Sequence, residues 1–276
     1  MVTRFAPAPT GYLHLGHVAN AQLVWGEARA RGGRVLLRIE DHDRERCKPE
    51  YEAALLEDLA WLGFAPDEPF VRQSERHDLY LGVANQLERE GLLYGCTCTR
   101  LKVQGSRGPE VQGSSEVRYL GACRDAGHGL TDSVGWRVRL PADEIHFADR
   151  WCGPQLQVPA QQCGDLLIRD RLGNWTYQFV ATVDDYLQGV TDVIRGTDLL
   201  ESTGRQILLA RMIGRPEAAV FAHHGLIMKS DTQKLSKSDR DTGIRDLRAT
   251  GWTRERVLAI SSRIRPQMTH LPSPHI

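Results

Sequence analysis

Two histidines near the N-terminus, His14 and His17, flank Gly16 in the stretch RFAPAPTGYLHLGH at residues 4–17. This stretch begins as a β-like run, passes through a Pro/Pro/Gly turn and then opens a helix near Leu15. A strand that feeds a helix through a tight turn aims free N–H groups outward, which suits an anion. Because Gly16 has no side chain, nucleotide phosphates could approach the backbone closely. The stretch therefore predicts a nucleotide site, although a His-x-x-His pair is also typical of an ordinary polar surface.

A second motif, KLSKS at residues 234–238, lies far along the chain and supplies Lys234 and Lys237. Alone, such a motif is typical of an exposed loop. The two motifs in this order resemble the signatures of the class I aminoacyl-tRNA synthetases, a His-x-Gly-His turn and a Lys-x-Ser-Lys-Ser loop. The surrounding residues resemble the glutamyl branch of this class. They are RFAP at 4–7, PTG at 9–11, LRIED at 37–41, VIRG at 193–196 and DL at 198–199.

The resemblance implies that an amino-acid carboxylate attacks the α-phosphorus of ATP. Catalysis of this reaction consists mainly of positioning and of charge stabilisation on the phosphates. His14 and His17 would donate to phosphate oxygens beside the backbone of Gly16. Lys237, supported by Lys234, would neutralise charge on the α- and β-phosphates, and Mg²⁺ would accompany ATP.

In the glutamyl branch the amino acid is L-glutamate, and the resemblance assigns residues to each of its polar groups. Arg4 and Tyr177 would hold one end, Glu40 the ammonium group and Arg195 a carboxylate. A guanidinium group offers a carboxylate a bidentate and permanently charged fork. Each arginine, taken singly, is also typical of a structural ion pair. The N-terminal residues expected to line the glutamate site are Phe5, Ala6, Pro7 and Ala8, and Ala8 replaces a serine that is usual in the family.

Three cysteines and a tyrosine, Cys96, Cys98, Tyr119 and Cys123, form the pattern Cys-x-Cys…Tyr-x-x-x-Cys. Three thiols and a hydroxyl can complete a tetrahedral shell around Zn²⁺. Reduced cysteines are also common as small buried side chains. Some members of the glutamyl branch have a zinc site of this form, so we expect one structural Zn²⁺. The other cysteines, Cys47, Cys152 and Cys163, are expected to be packing residues.

The order of apolar runs predicts an α/β fold with a doubly wound (Rossmann-type) parallel sheet. Pro49 is expected to begin a helix and Ser74 to cap the next one. A strand at 166–169 is expected to resume the parallel sheet after a zinc-containing insertion. The predicted divisions are 1–95 and 165–230 for the halves of the nucleotide-binding domain, 96–164 for the insertion, and 231–276 for the KLSKS loop and a short helical tail.

Composition gives only broad limits. The chain has 276 residues with 35 basic and 35 acidic side chains, so its net charge does not predict a nucleic-acid partner. No apolar run approaches the ~20 residues of a membrane helix, and no signal peptide is evident. We therefore expect a cytoplasmic protein without a membrane partner. We also expect a monomer.

Only 38 residues follow the KLSKS motif, so we expect no anticodon-binding domain. This arrangement resembles a paralogous family, the glutamyl-Q tRNA(Asp) synthetases. The resemblance implies that glutamate is activated without tRNA and attached to queuosine in the anticodon loop of tRNA(Asp). Two alternatives stay open: a truncated glutamyl-tRNA synthetase that charges a tRNA acceptor end, and a non-catalytic RNA-binding module.

Overall fold

The structure, a computed structural model, describes residues 1–105, 117–226 and 243–262. In chain order the strands are β1 (Val2–Phe5), β2 (Arg34–Ile39), β3 (Val71–Arg72), β4 (Leu93–Cys96), β5 (Gly135–Val138), β6 (Ile145–Asp149), β7 (Gly153–Gln157), β8 (Leu166–Arg169), β9 (Asp192–Gly196) and β10 (Val220–His224). The α-helices are α1 (Leu15–Ala30), α2 (Pro49–Leu62), α3 (His77–Arg89), α4 (Arg100–Gly105), α5 (Pro159–Gln162), α6 (Tyr177–Leu187), α7 (Thr203–Met212), α8 (Ile244–Ala249) and α9 (Arg254–Ser262). Short 3-10 helices lie at Gln73–Glu75 and Thr197–Ser202.

The parallel strands form two hydrogen-bonded groups, β1-β2-β3 and β9-β10, and β1 lies next to β9. β1 pairs with β2, β2 pairs with β3, and β9 pairs with β10, all in parallel. The two groups of strands meet where the Thr191 N–H donates to the Val2 carbonyl at 2.8 Å. Successive strand residues point to opposite faces, and Val193 and Ile194 accordingly belong to different hydrophobic clusters. This arrangement confirms the predicted α/β fold, with a parallel sheet between helices.

A second, antiparallel sheet packs beside the first, with β5 between β4 and β8. The strand expected at 166–169 is therefore present as β8, but it does not continue the parallel sheet. Its buried residues Leu166 and Ile168 join Trp136 and Val138 of β5 in one hydrophobic cluster. Pairing with β5 thus keeps the apolar face of β8 in the core. The domain divisions remain a prediction.

Local chemistry explains both ends of α2. α2 begins at Pro49, which has no N–H to leave unpaired, and ends at Gly63 with a φ of +76°. The prediction that Ser74 caps a helix is wrong. Its N–H and hydroxyl both donate to the Asp41 carboxylate, directly after the end of β2, and α3 begins after Arg76 without a side-chain cap.

The tail of the described structure packs on the face of the sheet that carries α1 and α2. Ile244 and Leu247 of α8 and Val257 of α9 belong to the same hydrophobic cluster as Phe5 of β1. The KLSKS loop, including Lys234 and Lys237, lies outside the described residues. Among the helices of the described ranges, none has the length and apolar character needed to cross a membrane.

Candidate active site

The two N-terminal histidines lie together at the start of α1. His14 is the N-cap residue, and its Nδ1 accepts a hydrogen bond from the Gly16 N–H at 3.0 Å. The His17 Nδ1 accepts from the His14 N–H at 3.2 Å, and the two ring centroids are 3.9 Å apart. Because both Nδ1 atoms are acceptors, a neutral ring carries its proton on Nε2, which is then a donor. The sequence suggested a free N–H at Gly16, but this N–H already donates a hydrogen bond to the side chain of His14.

The segment between β1 and α1 runs beside the end of β2. The Pro7 carbonyl accepts a hydrogen bond from the Glu40 N–H at 3.1 Å, which fixes the segment next to that carboxyl group. Ala6 and Ala8 are half-buried on either side of Pro7. The Phe5 side chain is only 2% exposed and packs in the core, so only its backbone could contact a substrate.

Buried charges converge at the carboxyl ends of β1 and β2. The Asp185 Oδ1 accepts from the Arg4 Nε at 3.0 Å and from the Arg38 Nη1 at 2.8 Å. Arg38 in turn donates through Nη2 to the Glu40 Oε1 at 3.1 Å. One carboxylate thus joins two guanidinium groups, and Arg38 links them to Glu40. Burial would raise the pKa of Asp185, but Arg4 and Arg38 hold it below its usual range.

Asp184 supports this network from the same helix, α6. Its carboxylate accepts from the Gln73 side-chain amide at 2.9 Å, from the Arg76 Nε at 2.7 Å and from the Tyr80 hydroxyl at 2.8 Å. The Arg38 Nε lies 3.8 Å from the same carboxylate. These contacts hold Arg38 in one orientation between β2 and α6.

Arg195, near the carboxyl end of β9, is buried in a polar shell. Its Nε donates to the His223 Nε2 at 2.9 Å and its Nη1 to the Gln206 Oε1 at 2.7 Å. Its Nη2 donates to the Leu199 carbonyl at 3.2 Å and to the Thr203 hydroxyl at 2.9 Å. These bonds use four of the five guanidinium protons, so a carboxylate would meet chiefly one Nη1 proton and the charge. Within the described part of the chain, Arg195 forms no ion pair with an acidic side chain.

The electrostatics connect these groups into one site. Burial raises the pKa of Glu40 above its usual range, although Arg38 and Arg4 oppose the shift. Burial lowers the pKa of Arg195, an effect that Tyr177 partly offsets. The Tyr177 hydroxyl, whose pKa is raised by burial and by Glu40, also interacts with Arg195 and Arg4. The structure therefore brings together the four residues predicted for the polar groups of glutamate.

The site contains residues that the sequence analysis missed. Three of them carry a charge inside an apolar run: a single arginine in VLLRI of β2 and two aspartates in α6. Buried charges of this kind need partners, so their positions were a usable signal. The other missed residues gave no such signal, because only the tertiary fold brings them to the site. The missed residues are Arg38, Gln73, Arg76, Tyr80, Asp184, Asp185, Thr203, Gln206 and His223.

Three of the predicted metal ligands lie together at the end of β4. The Sγ atoms of Cys96, Cys98 and Cys123 all lie within 4.8 Å of one another. The Tyr119 hydroxyl accepts from the Cys123 N–H at 2.8 Å and lies 3.5 Å from the Cys96 Sγ. A tetrahedral metal site requires this kind of closeness between its donors. The cluster is therefore able to bind a metal, and the predicted fourth ligand lies beside it.

The surroundings of this cluster favour the thiolate at Cys123, whereas burial raises the pKa of Cys98 to about 11. Burial would raise the pKa of Cys123, but hydrogen bonds from Thr97 hold it to about 6. The Arg137 Nε donates to the Cys96 Sγ at 3.4 Å, and its guanidinium carbon lies 3.8 Å from the centroid of the Tyr119 ring. Deprotonated sulfur is the form that binds metal ions, and a nearby cation stabilises it.

The fold and the site define the catalytic domain of a class I tRNA synthetase, and comparisons with known proteins agree. The family described as "tRNA synthetases class I (E and Q), catalytic domain" matches residues 1–270. The chain is 39% identical to a glutamyl-Q tRNA(Asp) synthetase of Rhodobacter capsulatus over 91% of this chain and 96% of that protein. It is 43% identical to one of Cupriavidus metallidurans over 85% of this chain and 76% of that protein. The chain therefore belongs to this family of ligases, among the relatives that carry the name glutamyl-Q tRNA(Asp) synthetase.

Solved structures show the same fold. A glutamate tRNA ligase from Elizabethkingia meningosepticum, crystallised with its amino acid, matches with a TM-score of 0.73 and 30% identity. The match covers 91% of this chain and 53% of that protein, so this chain spans about half the length of the longer enzyme.

Proposed function

We propose that this chain uses ATP to activate L-glutamate as glutamyl-adenylate without tRNA, and transfers the glutamate to queuosine in the anticodon loop of tRNA(Asp). Queuosine as the acceptor is supported by the names of the relatives described above. The partners would be ATP, L-glutamate and tRNA(Asp) that bears queuosine. A monomer in the cytoplasm would suffice for this reaction.

One observation supports the proposal most strongly: the charges of two buried groups, Glu40 and Arg195, are only partly compensated by their neighbours. Burial disfavours the charged forms of Glu40 and Arg195, and each would gain a partner of opposite sign from bound glutamate. The glutamate ammonium group would face Glu40, and a carboxylate would face Arg195. The cluster around these two groups also holds four guanidinium groups and three carboxylates. Its members are Arg4, Arg38, Arg76 and Arg195 with Glu40, Asp184 and Asp185.

The opposite charges also give selectivity against neutral amino acids. With Arg195 facing the side-chain carboxylate, glutamine would leave the Arg195 guanidinium buried without a negative partner. Sites built for a charged or hydrogen-bonding group strongly reject analogues that leave their own polar groups unpaired. Arg4 and Tyr177 would fix the orientation of the amino acid.

The nucleotide would bind at the start of α1. The Nε2 protons of His14 and His17 would meet phosphate oxygens, with the backbone of Gly16 close by. Mg²⁺ would accompany ATP and supply positive charge at the phosphates. Lys237 and Lys234 complete this proposal from a loop outside the described residues, and Lys237→Ala should abolish adenylate formation while the fold persists.

For the cysteine cluster we propose one structural Zn²⁺ held by Cys96, Cys98, Cys123 and Tyr119. Thiolate donors favour Zn²⁺ over hard cations such as Mg²⁺. Four protein ligands leave no open position for a substrate, so the metal would join the end of β4 to the segment around Cys123. The metal content of the purified protein tests this assignment.

Labelled glutamate and three RNAs test the proposed acceptor. The RNAs are tRNA(Asp) with queuosine, tRNA(Asp) without it, and tRNA(Glu). Label should appear only on the queuosine-bearing tRNA(Asp), and nuclease digestion should locate it in the anticodon fragment. Label at the 3′ end of tRNA(Glu) would instead identify a truncated charging synthetase. A folded, metal-loaded sample that labels none of the three would favour the RNA-binding module.

A further inference from the structure

Arg195 is connected to a buried aspartate on another element through a single histidine. His223, on β10, contacts the Arg195 Nε through its Nε2 at 2.9 Å. Its other nitrogen, Nδ1, lies 2.6 Å from the Asp149 Oδ2, at the end of β6. The side chains of His223 and Asp149 are both fully buried. The three residues form a continuous line of hydrogen bonds from β6 through β10 to β9.

The guanidinium group of Arg195 determines which atom carries the proton in each hydrogen bond of this line. A guanidinium Nε carries a proton and can only donate, so the His223 Nε2 must be the acceptor. A neutral imidazole has one protonated nitrogen, and here that nitrogen is Nδ1. The Nδ1–H then donates to the Asp149 carboxylate. His223 is therefore a neutral histidine in one fixed tautomer.

The surroundings of Asp149 fix its orientation as well. Its Oδ1 accepts backbone N–H groups from Trp151 at 3.0 Å, Cys152 at 2.9 Å and His223 at 3.2 Å. Oδ2 is left to face His223. Burial would raise the pKa of Asp149, but these donors, with His223 foremost, hold it below its usual range. The carboxylate is thus ionised and unable to rotate without breaking three hydrogen bonds.

We propose that Asp149 and His223 are positioning residues for glutamate binding: Asp149 selects the Nδ1–H tautomer of His223, and His223 thereby holds the Arg195 guanidinium in its carboxylate-binding orientation. Neither residue touches the substrate in this account. Their role rests on the proposed function, because it assumes that Arg195 binds a glutamate carboxylate. The β6–β7 hairpin, in the segment predicted as an insertion, would in this way contribute to the selection of the amino acid.

Asp149→Asn gives a sharp test, because the structure dictates how asparagine must sit. Its oxygen has to occupy the Oδ1 position, where three N–H groups point at it, so its NH2 group faces the His223 Nδ1. Nδ1 must then be the acceptor and the proton moves to Nε2. The Nε2–H would oppose the Arg195 Nε–H, and Arg195 would lose one of the four hydrogen bonds that orient it. The side-chain volume hardly changes, so packing is preserved.

Two measurements read the effect independently. Long-range ¹H–¹⁵N spectra of protein labelled in histidine report the tautomer of His223, assigned by the loss of its signals in His223→Gln. They should show Nδ1–H in the native protein and Nε2–H in Asp149→Asn. Glutamate-dependent exchange of pyrophosphate into ATP should show a KM for glutamate raised by roughly 10- to 100-fold, the range for one hydrogen bond to a charged group. The KM for ATP should change far less, since Arg195 contacts glutamate and not ATP in the proposed function.

Asp192→Asn is the matched control. Asp192 lies on the same strand as Arg195, at the other end, and its carboxylate contacts Arg31 and Thr191. This variant loses a buried carboxylate yet should keep the native KM for glutamate and the native tautomer of His223.

The outcomes separate the two proposals. An Nε2–H tautomer in the native protein would overturn the positioning role even if Asp149→Asn failed to fold. An unchanged glutamate KM in folded Asp149→Asn would also overturn it. Arg195→Ala tests the proposed function on its own: if its KM for glutamate is native, Arg195 does not bind the carboxylate. A raised KM in Arg195→Ala beside a native KM in Asp149→Asn would reject the positioning role alone.

Discussion

Replacing Asp185 by asparagine should destabilise the fold, because it removes the negative charge from two buried ion pairs. Asp185 is the carboxylate shared by Arg4 and Arg38, whose side chains are 5% and 0% exposed. Removing one partner of a buried ion pair costs about 3–5 kcal/mol. Arg38 keeps Glu40 and Asp184, and the asparagine oxygen can still accept hydrogen bonds. We therefore expect the lower end, a loss of about 3 kcal/mol in the free energy of unfolding at pH 7.

This loss should depend on pH. Burial would raise the pKa of Asp185, but Arg4 and Arg38 hold it below its usual range. An acid with a depressed pKa stabilises the fold above its unfolded pKa of about 3.9, and this contribution disappears as the pH falls through the folded value. The difference between native protein and variant should thus be constant from about pH 5 upward and shrink below about pH 4.

Urea unfolding followed by the fluorescence of the six tryptophans measures both effects. Glu68→Gln is the control: it removes an ion pair with Arg34 in which both side chains are about half exposed, and should cost less than about 1 kcal/mol. A loss for Asp185→Asn no larger than that of the control would refute the reasoning. So would a loss that persists unchanged at pH 3.5.

Three further predictions test other parts of the structure. Glu40→Gln should raise the KM for glutamate by roughly 10- to 100-fold and leave the KM for ATP unchanged in pyrophosphate exchange; a native KM would remove Glu40 from the ammonium site. Cys123→Ser should lower bound metal, measured by mass spectrometry, from one ion per chain to well below one, and full occupancy would contradict the cluster. Gly164→Ala should lower the melting temperature more than Gly91→Ala, since both glycines have positive φ but only at Gly164 would a Cβ overlap the Tyr119 carbonyl. Equal shifts for these two variants would show that this close approach is unimportant.

The sequence predicted those features that depend on local patterns. The strand-turn-helix at the start of the chain, the helix between Pro49 and Gly63 and the closeness of Cys96, Cys98 and Cys123 all appear in the structure. Each depends on residues close in the chain or on a motif with fixed spacing. Such signals are strong because proline, glycine and cysteine restrict the backbone or the chemistry directly.

Features that depend on long-range partners were missed or wrong. Ser74 was expected to cap a helix, but the Asp41 carboxylate, brought close by the end of β2, accepts its hydrogen bonds instead. β8 was expected in the parallel sheet, but it pairs with β5, and the buried side chains of both strands belong to one hydrophobic cluster. The line from Asp149 to Arg195 spans three elements distant in the chain, and only the assembled fold shows it.

The most direct test of the central claim is glutamate-dependent exchange of pyrophosphate into ATP, measured without any tRNA. We predict exchange with glutamate and none with glutamine, because Arg195 is buried and would gain a negative partner from the glutamate side chain. Exchange that requires tRNA(Glu), or none at all from folded, metal-loaded protein, would contradict the proposed tRNA-independent activation of glutamate.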